Sequence, residues 1–112
     1  MQLEVKSKTW LEADGKFIMG EHGIALLDAI DELGSIQHGA RRVGWSYRRA
    51  WGYLKTMERH ADVPILVISH GGTAGGGTRL TPQARKLLRE YKRLQKTLRA
   101  TIRQKSRLLF SY

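Results

Sequence analysis

Polar and apolar positions change period several times along this chain, and each change marks an element. Leu3, Val5, Ser7, Thr9 and Leu11 alternate with Glu4, Lys6, Lys8 and Trp10; an Asp14-Gly15 turn signal and the apolar Phe17-Ile18-Met19 follow. Alternation before such a dipeptide and an apolar run after it predict a β-hairpin over residues 1–20. From Glu21 the spacing becomes helical, with Ile24, Leu27, Ile30 and Leu33 on one stripe and Gly34 as the stop. Asp28, Asp31 and Glu32 are expected on the solvated face of that support helix.

Ser35 suits an N-cap, and Ile36, Ala40 and Val43 form a short apolar stripe behind it. Gly44 can take the left-handed backbone that ends a helix, and Ser46 can cap the next one. Small Ala40 and Ala50 would let the two helices approach closely. Residues 21–60 therefore read as a support helix followed by a helix-turn-helix, whose second helix enters the major groove of DNA. At roughly 100° per residue, Ala50, Leu54 and Met57 fall on the core side of that helix. Arg48, Gly52, Lys55 and Arg59 fall opposite, with Arg49 and Thr56 on the flank. Arg can pair two-pronged with guanine, and Lys or Arg can neutralise phosphate. Ser46 and Tyr47 open the helix and complete the candidate DNA-reading set.

Beyond Pro64 a compact apolar run, residues 65–68, predicts a strand, and a glycine-rich loop leads to Arg79-Leu80-Thr81. Strand, loop and return over residues 63–81 make a wing, in which Gly75, Gly76 and Arg79 are expected at the DNA backbone. Thr81-Pro82 is a cap followed by proline at the first helical position, so a helix is predicted over residues 82–109. Its stripe of Leu87, Tyr91, Leu94, Leu98 and Ile102 is longer than so small a domain can cover, and a helix from a second subunit is the expected cover. Partial packing on the N-terminal hairpin of the same chain is expected beside it. The fold class is thus α+β, a single winged helix-turn-helix domain with a long dimerisation helix.

Charge sharpens this reading. The net charge of +10 on 112 residues suggests a polyanionic partner, double-stranded DNA. Residues 1–34 carry three Lys and seven acidic residues; residues 82–112 carry ten basic and one acidic. Cationic charge begins where the helix-turn-helix begins. The ten late cations are expected to spread around their helix, which argues against a membrane-surface helix. There is no cysteine, no apolar signal segment and no run of membrane-spanning length, in keeping with a cytoplasmic protein. His22, His38, His60 and His70 lie in different elements without ligand spacing, so neither a metal site nor catalysis is expected, and no cofactor. The glycine loop lacks the Gly-Lys-Ser/Thr ending of a nucleotide cradle.

The segments from Gly34 to Trp51 and from Val63 to Leu88 resemble the N-terminal DNA-binding domain of the molybdate-responsive ModE regulators. The specific parts are Ser-Tyr-Arg-Arg-Ala-Trp after the turn and the Gly-Gly-x-x-Gly-Gly-Gly wing before Leu-Thr; the segment from Trp10 to Lys16 also fits. LysR-type winged helices share the layout without the glycine wing. The resemblance implies a homodimeric, non-enzymatic transcription factor. Its reader would be the helix from Ser46, and its dimer interface the helix from Pro82. ModE regulators of the full type continue into molybdate-binding domains, whereas this sequence ends at Tyr112, so a stand-alone DNA-binding version is expected and molybdate is not an expected ligand. The alternatives are a protein-interaction module that pairs with another regulator, and an oxyanion binder built on the glycine wing.

Overall fold

The computed structural model describes Met1, residues 3–71 and residues 77–110, and has two hairpins and four helices. Strands β1 (Leu11–Ala13) and β2 (Lys16–Met19) are antiparallel, pairing Ala13 with Lys16 and Glu12 with Phe17. Asp14 and Gly15 both have positive φ, 52° and 79°, the mirror-image turn that an Asp-Gly pair tolerates and that matches strand twist. The hairpin is shorter than the alternation suggests: Leu3 and Val5 are exposed, and residues 3–10 form no strand. The reason is a missing partner. β2 has four residues and runs through Gly20 directly into a helix, so nothing remains for the earlier residues to pair with. They run beside the last helix instead, where the Tyr91 hydroxyl donates to Thr9 Oγ1 at 3.2 Å.

Helices α1 (Glu21–Leu33), α2 (Ile36–Arg42) and α3 (Tyr47–Ala61) follow. The Gly34 N–H closes α1 by donating to the Ile30 carbonyl at 2.7 Å. Ser35 and Ser46 cap α2 and α3 as expected, their hydroxyls accepting from the amides of His38 and Arg49. Gly44 turns the chain between the two helices at φ 78°. The core is built from Met19, Leu26, Leu27, Ile30, Leu54, Met57 and Ile65, all fully buried, with Ala40 and Ala50 at the α2–α3 approach. Gly39 is a packing requirement, since a Cβ there would lie 2.7 Å from Ile30 Cγ1.

Strands β3 (Leu66–Ser69) and β4 (Gly77–Leu80) pair antiparallel, Leu66 opposite Leu80 and Ser69 opposite Gly77. The Thr78 amide donates to the Gly34 carbonyl at 2.9 Å, tying the wing to the end of α1. Thr81 then has two duties: its Oγ1 donates to the Pro64 carbonyl at 2.7 Å and accepts from the Ala84 amide that it caps. Helix α4 (Pro82–Leu109) leaves the body, giving the molecule dimensions of 62 × 29 × 22 Å.

Candidate nucleic-acid interface

Helix α3 is held from beneath. Ala50, Leu54 and Met57 recur at spacings of four and three, which puts all three on one face; all are buried in the core, and α3 packs on α2 and β2. His60 Nδ1 lies 2.6 Å from the Phe17 carbonyl and joins the end of the helix to β2. Glu58 accepts the Ile65 amide through Oε2 and meets Lys55 through Oε1, which anchors the start of β3. What the rest of α3 presents outward follows from this mounting.

Tyr47, Arg48, Arg49, Gly52 and Arg59 are exposed, while Lys55 and Thr56 are half-buried. Arg48, Arg49, Gly52 and Thr56 line one shallow groove of about 390 Å³ together with Phe17 and Met57. The candidates are not equally free. Lys55 pairs with Glu58 at 3.4 Å and lies over the Trp51 ring; Arg59 donates to Thr56 Oγ1 at 3.2 Å. The Arg49 guanidinium stacks on Trp45, 4.0 Å from the ring centroid. Arg48 makes no ion pair among the described residues. The Ser46 hydroxyl is committed to its cap. Trp51, 44% exposed beside Lys55, belongs to the same surface and was not singled out by charge or periodicity; its only sequence signal is an aromatic inside a cationic run.

Gly52 separates two explanations of a helical glycine. A Cβ at Gly23 would lie 2.7 Å from both Met19 Cβ and the Tyr53 hydroxyl, so packing excludes it; at Gly52 a Cβ would meet nothing within 4 Å. A helix-interior glycine costs about 1 kcal/mol relative to alanine, and the fold gains nothing for that cost at Gly52. Behind it, Tyr53 packs edge-on to Trp45 and Phe17, with centroids 5.2 and 6.2 Å away. Its buried hydroxyl makes no well-formed hydrogen bond, and burial pushes the phenol pKa up, only partly offset by the Gly20 backbone.

On the wing, Arg79 is exposed while its neighbours Thr78 and Leu80 are buried. Gly75 and Gly76 lie outside the described residues. The α4 stripe divides: Tyr91 is buried and Leu87 half-buried within this chain, whereas Leu94 and Leu98 are 53% and 37% exposed. Ile102 is half-buried, lining a shallow cavity with Leu3 and Val5. Ala84 and Leu88, outside the expected stripe, carry the contact with the core. The α1 carboxylates are not simply solvated. Asp31 takes Arg85 at 3.0 Å, Asp28 takes Lys92 at 3.0 Å and Glu32 takes Arg42 at 2.6 Å, latching α4 and α2 onto α1.

Among the described residues there is no cluster of metal-ligating side chains and no helix long and apolar enough to cross a membrane. No family model matches the chain. Curated relatives do. It is 44% identical over 73 residues to the molybdenum-pterin-binding protein MopB of Rhodobacter capsulatus, covering 65% of this chain and 27% of the relative. It is 39% identical to the transcriptional regulator ModE of Haemophilus influenzae, covering 66% and 29%, and 32% identical to the DNA-binding transcriptional dual regulator ModE of Escherichia coli, covering 86% and 35%. The chain is a homologue of the ModE-type regulators. It spans about a third of the length of these ModE-type relatives. Among solved structures, the DNA-binding domain of CbnR in complex with DNA superposes with a TM-score of 0.57 at 20% identity, over 79% of this chain and 97% of that one. The fold is therefore a winged helix, and several of the curated relatives are named as transcriptional regulators.

Proposed function

We propose that this chain is a sequence-specific DNA-binding unit of a ModE-type transcriptional regulator, acting as a homodimer in the cytoplasm. Helix α3 reads the major groove, with Arg48 as its base-contacting cation and Tyr47, Arg49, Lys55 and Arg59 around it. The observation that carries this reading is the outward face of α3, where free Arg48 stands one turn from an unpacked Gly52. A glycine there lets a wide, flat partner approach the helix backbone, and cations beside it suit phosphates and guanine edges. Arg79, with Gly75 and Gly76, contacts the backbone from the wing. The exposed Leu94 and Leu98 pair with the same residues of a second copy, which places two reading helices for a two-fold site.

The cationic face favours DNA over a protein partner, for which a neutral or apolar face would be expected. The test is fluorescence anisotropy with duplexes enriched from a random pool, read across a salt series. Affinity should fall steeply with salt, and Arg48→Ala should narrow the gap between enriched and random duplexes. Undetectable duplex binding at low salt would end this reading.

A further inference from the structure

Helix α4 does not carry its cations as the sequence reading expected. It is one continuous helix from Pro82 to Leu109, so at ~100° per residue the positions of its charges are fixed. Eight of its ten cations fall within an arc of about 120°, and only Lys86 and Lys105 lie outside it. Leu87, Leu88, Tyr91, Leu94, Leu98 and Ile102 occupy an arc of similar width on the other side. Spacing in threes and fours produces this separation.

Two cations of the arc are accounted for by the fold: Arg85 and Lys92 pair with Asp31 and Asp28. The other six, Arg89, Arg93, Lys96, Arg99, Arg103 and Arg107, are exposed and make no ion pair among the described residues. Glu90, the only acidic residue of α4, lies off the arc. Neighbours three and four apart on a helix repel when like-charged, so this row weakens the free helix. Interleaved glutamates would have relieved that repulsion, and none are present.

We propose that this face of α4 is a second DNA-binding surface, a phosphate-contacting strip apart from the reading helix, engaging duplex DNA without regard to sequence. The proposal rests on the DNA-binding reading above and adds a site to it. Five of the six free cations are arginines, whose planar forks match phosphate oxygens. From Arg89 to Arg107 the strip is about 27 Å long at ~1.5 Å per residue, long enough to meet several phosphates of one duplex. Pairing of two copies through the Leu94 side would leave both strips outward. A lipid surface fits less well, because a helix lying in a bilayer interface embeds its apolar arc, and these cations would then point into water.

The test compares three chains on one duplex across a salt series. In the first, Arg93, Lys96, Arg99 and Arg103 are all changed to Gln, which keeps helix propensity; in the second, Lys86→Gln and Lys105→Gln remove two cations off the arc. The third is the unchanged protein. The four-residue variant should bind more weakly on enriched and random duplexes alike. Its slope of log affinity against log salt should be shallower by about 2–4, since each released phosphate contact contributes about 0.9. The off-arc variant should keep the parent slope. Circular dichroism should show the four-residue variant as helical as the parent and melting no lower, because repulsion has been removed. Should it fail to fold, Arg99→Gln and Arg103→Gln singly should each lower the slope by about one. An unchanged slope overturns the proposal while leaving the reading-helix function standing, as does a loss confined to acidic polypeptides or anionic vesicles. Absence of duplex binding by the parent protein ends both.

Discussion

Helices α3 and α4 are both basic and both amphipathic, yet the chain finishes one and leaves the other open. The apolar face of α3 is satisfied internally, with Ala50, Leu54 and Met57 at no more than 1% exposure. The apolar face of α4 is fully buried only as far as Tyr91; beyond it Ile102 is half-buried beside Leu3 and Val5, while Leu94 and Leu98 stand in solvent, with Leu108 and Leu109 further out. A helix buried on one side has a single face left for function. A helix open on both sides has two, and their chemistry differs: one is apolar and the other cationic. The core of a 112-residue domain cannot reach along the full length of a 28-residue helix, which is the physical origin of the difference.

The largest effect is expected at the leucines. Leu54→Ala should destabilise the fold by about 2–5 kcal/mol, because a fully buried side chain leaves a cavity that the surrounding helices cannot close. Leu94→Ala should barely change urea unfolding of the monomer at high dilution. Equal losses at the two positions would show that α4 is covered within the chain. The double change Leu94→Gln with Leu98→Gln should convert dimer to monomer in sedimentation, each leucine supplying roughly 1.5–3 kcal/mol when fully buried. A parent protein already monomeric at micromolar concentration would remove the open-face interpretation.

Smaller effects sharpen the outward face of α3. Arg48→Ala should reduce discrimination among duplexes by about 1–3 kcal/mol, whereas Arg79→Ala on the wing should weaken all duplexes evenly. Gly52→Ala should move stability and binding in opposite directions. Unfolding free energy should rise by about 0.5–1 kcal/mol, since the methyl meets open space, while duplex affinity falls because the methyl keeps DNA from the backbone. A variant that gains stability without losing affinity would mean that nothing approaches there.

Least in size is the pH effect of Tyr53. Burial raises its folded-state pKa, so above pH about 10 the unfolded chain releases this proton while the folded chain keeps it, and stability falls as pH rises. Below that range the group contributes no slope. Tyr53→Phe should therefore flatten stability above pH 10 and cost little at neutrality, where the lost hydroxyl has no well-formed hydrogen bond to forfeit. An unchanged alkaline slope would assign the effect elsewhere.

Local signals decided much of this protein by themselves. Caps at Ser35, Ser46 and Thr81, the Asp14-Gly15 turn, and helical spacing from Ile24 to Leu33 and from Ala50 to Met57 are short-range choices of backbone and side chain, and they place every helix. The outward face of α3 was legible for the same reason, since a regular helix converts residue spacing directly into direction. The fate of residues 3–10 was not legible, because alternation states what a strand would bury and not whether a partner strand exists to pair with it. Nor could spacing tell that Asp28 and Asp31 latch α4 through Lys92 and Arg85, contacts 54 or more residues apart in the chain. Leu88 and Tyr91 against the core, with those ion pairs beside them, hold the first part of α4, and of the apolar residues beyond it only Ile102 finds partial cover, beside Leu3 and Val5. Only the packed structure therefore separates the part of the long helix that this domain covers from the part it leaves exposed.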